Sequence, residues 1–176
     1  QVWLNGTLVG YSEDSCLLSA FDVTSLVNDG KNTLAVRVFK WTDGSYLEDA
    51  DHWRMAGIHR EVMLLHQPDV AISDFGVRTI LEQEYKDARL QIRPSVSVIK
   101  GKNTDRMKID AVLYDTEGKV VGERMSLAVN KILAEQYPQR DNVYYPLMEQ
   151  KIEDPLKWTA ETPDLYTLVL SLWDGD

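Results

Sequence analysis

The residues best suited to chemistry lie in one stretch, Gly44-Ser45-Tyr46-Leu47-Glu48-Asp49-Ala50-Asp51-His52-Trp53-Arg54-Met55. Three acids, Glu48, Asp49 and Asp51, fall within four positions, with Trp53, Arg54 and Met55 close behind. Clustered carboxylates offer the oxygen ligands that hard cations prefer, although this spacing does not match a helix-loop-helix calcium loop. Paired carboxylates can also cleave a sugar bond, provided they stand about 5 to 10 Å apart in contrasting environments. Proximity in sequence does not establish that separation. A third reading is a solvated acidic loop, but such a loop has no need of Trp53, Met55 and Ile58 so near Asp51. The segment is expected to fold back onto protein.

Two further sets of residues are weaker. His52, His59 and His66 recur every seven positions, yet on strands an odd spacing points side chains to opposite faces, which argues against a shared metal. Cys16 has no nearby residue to serve as the base that nucleophilic catalysis requires.

Composition narrows the partners. Across 176 residues, 28 Asp and Glu against 19 Lys and Arg give a net charge of -9. A protein that neutralises phosphates carries the opposite sign, so no nucleic-acid partner is expected. No apolar run approaches the roughly 20 residues that span a bilayer, and the acidic balance disfavours anionic lipid, so no membrane partner is expected either. The single cysteine excludes an intrachain disulfide and leaves the compartment unspecified.

The elements that must position the acidic stretch read as strands. Val2-Trp3-Leu4 and Thr7-Leu8-Val9 flank Asn5-Gly6, the signature of a type I′ hairpin. Asn32 to Trp41 alternates and Arg60 to His66 is apolar, which predicts two more strands. Phe21 to Val27 suits a single helical turn closed by Asn28-Asp29-Gly30. Gln67-Pro68-Asp69 interrupts the pattern and sets a domain division: 1–67, then 68–176. Beyond it, Val70 to Thr79, Ala88 to Ile99, Met107 to Tyr114, Lys119 to Ser126 and Leu165 to Trp173 predict a sandwich-sized all-β module, with Asp115 to Gly118 as a hairpin turn. No helical periodicity persists for three turns. Asn130 to Gln150 is irregular, with a short strand conceivable over Asn142 to Leu147. A strand at the very start, without Met or a leader pattern, leads us to expect that the chain begins inside a domain.

These residues carry a family likeness. The run W-x-D-G-S-Y-L-E-D-x-D-x-W-R-M-x-G-I-x-R-x-V, Trp41 to Val62, resembles the long β-galactosidases of glycoside hydrolase family 2. Asn5-Gly6, Val9-Gly10-Tyr11, Asp14-Ser15 and Phe21-Asp22 are similar to that family's N-terminal sugar-binding jelly roll. Ile72-Ser73-Asp74-Phe75 and Pro155 to Tyr166 resemble the two ends of its immunoglobulin-like domain. The resemblance implies an all-β chain, with the C-terminal part of a jelly roll over 1–67 and an immunoglobulin-like β-sandwich over 68–176. It also implies a parent enzyme that hydrolyses terminal β-D-galactosides with retention, using two glutamates on a later (β/α)₈ barrel. Nothing in this chain resembles the segments carrying those glutamates, so the piece itself is expected to be inactive.

By the same resemblance Asp51 is the family's active-site aspartate, contacting galactosyl hydroxyls and helping to hold sodium. The parent enzyme would also use magnesium, and this chain alone is expected to hold neither ion. Departures from the family pattern are Cys16-Leu17-Leu18, and Ala50, His52, Ala56 and His59 within the signature; none alters Asp51. The competing reading is a free-standing carbohydrate-binding or adhesion module. Against it, half a jelly roll would expose strand edges and apolar surface, which are expected to pair with another chain, as in a homo-oligomer.

Overall fold

The computed structural model describes residues 1–13, 17–47, 55–134 and 146–175. Its strands fall in two compact units, Gln1–Leu64 and Leu65–Asp176. Among the described residues no helix is long and apolar enough to cross a membrane.

The first unit is built on a hairpin of β1 (Val2–Leu4) and β2 (Thr7–Gly10). Asn5 and Gly6 take φ of 52° and 83°, the two positive angles that a type I′ turn requires. Strand β3 (Leu34–Val36) pairs antiparallel with the other side of β1, giving the order β2-β1-β3. Side-chain amides lock the loops around this small sheet. Asn5 Nδ2 donates to the Leu26 carbonyl at 2.9 Å and to Asn32 Oδ1 at 2.7 Å, while Asn5 Oδ1 accepts from the Thr33 amide at 2.9 Å. Asn32 in turn closes the Asn28-Asp29-Gly30 loop through both Asn28 backbone groups at 2.8 Å.

The expected helical turn is present as a 3₁₀ turn over Thr24–Leu26. Asp22 Oδ1 accepts from the Thr24 amide at 2.9 Å and its hydroxyl at 2.6 Å, and these bonds, the hydroxyl's foremost, hold the Asp22 carboxyl below its ordinary range. Gly10 lets the Phe21 ring approach: an added Cβ would lie 2.7 Å from the ring edge.

Two strand expectations need correction here. Asn32 to Trp41 is ladder-paired only over Leu34–Val36, and Arg60 to His66 forms no strand. Arg60 to His66 is exposed throughout and has no paired neighbour among the described residues. An apolar run becomes a strand only where another strand accepts its backbone groups.

The second unit is an antiparallel sandwich. One sheet orders β4 (Val70–Glu82), β5 (Asp87–Val98) and β8 (Met148–Ile152); the other orders β7 (Val120–Ala128), β6 (Met107–Tyr114) and β9 (Thr167–Asp174). Period-two alternation turns Ala88, Leu90, Ile92 and Pro94 of β5 inward and leaves Arg89, Gln91 and Arg93 more exposed. Leu90 and Ile92 then pack with Met148 and Ile152 of β8 against Ile109, Ala111 and Leu113 of β6. The five-residue helix α1 (Val129–Leu133) closes one end by burying Val129 and Ile132.

Side-chain contacts tie this sandwich together. Strand β7 carries a bulge opposite Ala111 to Leu113, where Gly122 adopts φ 71°. Gln150, on β8 of the opposite sheet, reaches it: Oε1 accepts the Glu123 amide at 2.9 Å, in the space a Gly122 side chain would occupy. At the start of β5, Asp87 is only 4% exposed. Its carboxylate takes Lys151 Nζ at 2.7 Å and the Asp154 amide at 3.1 Å. Lys157 Nζ completes that corner, donating to the Lys86 carbonyl and to Asp154 Oδ1, each at 2.8 Å. The Leu156 amide donates to the Tyr166 hydroxyl at 2.9 Å, a backbone tether of the tyrosine-corner kind.

Candidate functional site

Asp51, the residue singled out from the sequence, lies with Glu48, Asp49, His52 and Trp53 in the segment 48–54, outside the described residues, as does Cys16. The structure therefore shows the chain that delivers this segment. It leaves β3, passes Arg37 over the Phe39 ring at 4.6 Å from its centre, and sets Lys40 over Trp41 at 5.7 Å. A 3₁₀ turn over Asp43–Tyr46 follows.

Thr42 and Ser45 fix where that turn begins. The Thr42 amide donates to Ser45 Oγ at 3.0 Å, and the Ser45 amide is received by the Thr42 side chain, a reciprocal capping box. The Leu47 amide closes the far end on the Gly44 carbonyl at 3.0 Å. This pair escaped the sequence reading. Its signal was Thr42 three positions before Ser45, where a capping box usually carries Glu or Gln.

Around the turn, Trp41, Thr42, Ser45 and Tyr46 line a shallow open depression of about 240 Å³. Tyr46 and Leu47 are each 89% exposed as the chain enters the acidic segment. Tyr11, at the end of the hairpin, is drawn into the same electrostatic neighbourhood. The Glu13 carboxylate raises its phenol above the ordinary value, with partial desolvation, a hydrogen bond to Glu13 and the Asp43 carboxylate adding to the effect.

His59 and His66 both lie on the exposed, irregular stretch after the acidic segment. Among the described residues no three His, Cys, Asp or Glu side chains stand close enough to hold a metal ion. In donor chemistry, a carboxylate such as Asp51 fits a hard cation as one ligand of several.

Comparisons with known proteins agree along the whole length. Residues 1–68 match the sugar binding domain of glycosyl hydrolases family 2, and residues 70–176 match a second domain model of glycosyl hydrolases family 2. A β-galactosidase of Priestia megaterium is 41% identical over 97% of this chain, and one of Oenococcus oeni is 38% identical over all of it. The chain spans 16% and 17% of those two proteins. Among solved structures, a β-glycosidase from Bacteroides vulgatus covers 98% of the chain with a TM-score of 0.70 at 23% identity, the chain spanning 20% of it. A Bifidobacterium dentium β-glucuronidase gives a TM-score of 0.63 at 20% identity over 98% of the chain and 31% of its own. At those identities the structures bear on the fold alone.

Proposed function

The chain belongs to glycoside hydrolase family 2, and from that we propose that it is the non-catalytic front portion of a retaining β-galactosidase, contributing one active-site loop. The observation that carries this reading is 38–41% identity to β-galactosidases over nearly the full chain. The signature running from Trp41 to Val62 supports the same branch.

In this reading the substrate is a terminal β-D-galactoside, and bond cleavage through a covalent galactosyl-enzyme belongs to two glutamates outside these residues. The chain's own contribution is the loop bearing Asp51. An ionised carboxylate accepts hydrogen bonds from sugar hydroxyls and supplies one oxygen ligand to sodium, so a single side chain serves substrate and ion together. Sodium, when bound, would fix the hydroxyl contacts electrostatically; magnesium is assigned to the parent enzyme at large. Glu48 and Asp49 serve as support or surface charge. The capping box at Thr42 and Ser45 sets where the chain enters the loop, and the sandwich acts as a spacer for the barrel.

The test has two arms. The isolated chain is expected to show no turnover of an aryl β-galactoside, and clear hydrolysis by pure material would overturn the division of labour. In the full-length protein, Asp51→Ala should weaken galactose binding about ten- to a hundredfold, as loss of hydrogen bonds to a charged group does, and should blunt sodium activation. An unchanged sodium response would remove Asp51 from the site.

A further inference from the structure

Asn5-Gly6 is the dipeptide of this chain with the greatest intrinsic tendency to deamidate, because Gly6 places no side chain in the path of attack on the neighbouring amide. Both residues are exposed, so water and base reach them. The surrounding geometry opposes the reaction. The Asn5 carboxamide is fixed by three bonds directed at residues 26 to 33: Nδ2 to the Leu26 carbonyl at 2.9 Å, Nδ2 to Asn32 Oδ1 at 2.7 Å, and Oδ1 from the Thr33 amide at 2.9 Å. The turn adds a second restraint, because the type I′ geometry that sets Asn5 at φ 52° also fixes its ψ, the torsion that with χ1 governs how near the Gly6 nitrogen comes to Cγ.

We propose that Asn5 is a fold-gated deamidation site, silent while the first unit is intact and reactive once its loops open. Base removes the Gly6 amide proton, and the Gly6 nitrogen attacks Asn5 Cγ. The new N–C bond closes a succinimide while the bond from Cγ to Nδ2 breaks and ammonia leaves. Water then opens the ring at either carbonyl to give aspartyl or isoaspartyl at position 5. No oxidant or reductant takes part.

The consequence is one-way. An aspartate at position 5 loses both Nδ2 donors and sets a carboxylate against the Leu26 carbonyl and Asn32 Oδ1, three acceptors with no proton between them. An isoaspartyl linkage lengthens the backbone inside a two-residue turn and breaks the hairpin register. A unit that opens long enough to react cannot reclose in its original form.

The experiment follows the mass increase at position 5 by peptide mapping during incubation at mildly alkaline pH. It compares the protein at its natural length, the same protein in urea, and a capped synthetic peptide of residues 1–10. The folded protein should react about tenfold or more slowly than the peptide, since even one net hydrogen bond lowers the reactive population by roughly that factor. The urea sample should match the peptide. Asn32→Ala, with folding verified by near-ultraviolet circular dichroism, should raise the folded rate towards the peptide's. A folded wild-type rate equal to that of the peptide would overturn the gate. So would an unchanged rate in folded Asn32→Ala, because the restraint would then lie elsewhere. Should Asn32→Ala not fold, the comparison of wild-type protein with peptide decides alone.

Discussion

Asp87 is a buried acid whose ionised form its neighbours favour, and its behaviour with pH follows from them. The Lys151 hydrogen bond, then the Asp154 amide, hold its carboxyl below the ordinary range, and Lys151 is raised chiefly by its bond to Asp87. A lowered acid stabilises the fold above its unfolded pKa and loses that contribution as pH falls through the folded value. The loss therefore falls below about pH 4, the ordinary carboxylate range, and the Lys151 contribution disappears only above about pH 10. Asp154, lowered by Lys157, adds to the acid limb. We expect Asp87→Asn to flatten the acid limb of a urea-midpoint profile relative to wild type; an unaltered profile would show that the Lys151 pair contributes little. At this scale the sequence was a partial guide. Three neighbouring acids drew attention to Glu48, Asp49 and Asp51, but only the family signature separated Asp51 from the others. Asp87 carried no such signal, because its partners lie 64 and 67 positions downstream.

Among the elements, β5 organises the sandwich, pairing with β4 on one side and β8 on the other. Ile92 at its centre is fully buried. Ile92→Ala should cost about 2–5 kcal/mol in chemical denaturation, the range for a large-to-small change in a packed core. A cost well under 1 kcal/mol would mean the two sheets close over the gap. Strand β5 could be read from its alternation, since pattern and burial agree there, and β1 and β2 from the Asn5-Gly6 turn between them. Strand β8 could not: its inward positions are Met148, Gln150 and Ile152, and the polar middle residue breaks the apolar signal. Helix α1 is too short to display a period, and Arg60 to His66 had the apolar content of a strand but no paired neighbour among the described residues.

For the whole molecule, the two units differ in how well they bury their apolar residues. The second encloses a continuous core, whereas the first leaves Leu34, Val36, Val38 and Phe39 between 40% and 49% exposed. Exposed apolar side chains in sequence favour association. The chain purified alone is expected to sediment as species heavier than one copy; a strictly monomeric boundary would contradict this. Within the second unit, the Gln150 contact to the β7 bulge has a dynamic corollary. The Glu123 amide has its acceptor on the opposite sheet, so its hydrogen-exchange protection should follow the opening of β8 and not of its own strand. In Gln150→Ala that one amide should exchange about tenfold faster while its β7 neighbours keep their rates. Exchange at position 123 thus acts as a clock in one sheet that is wound by the other.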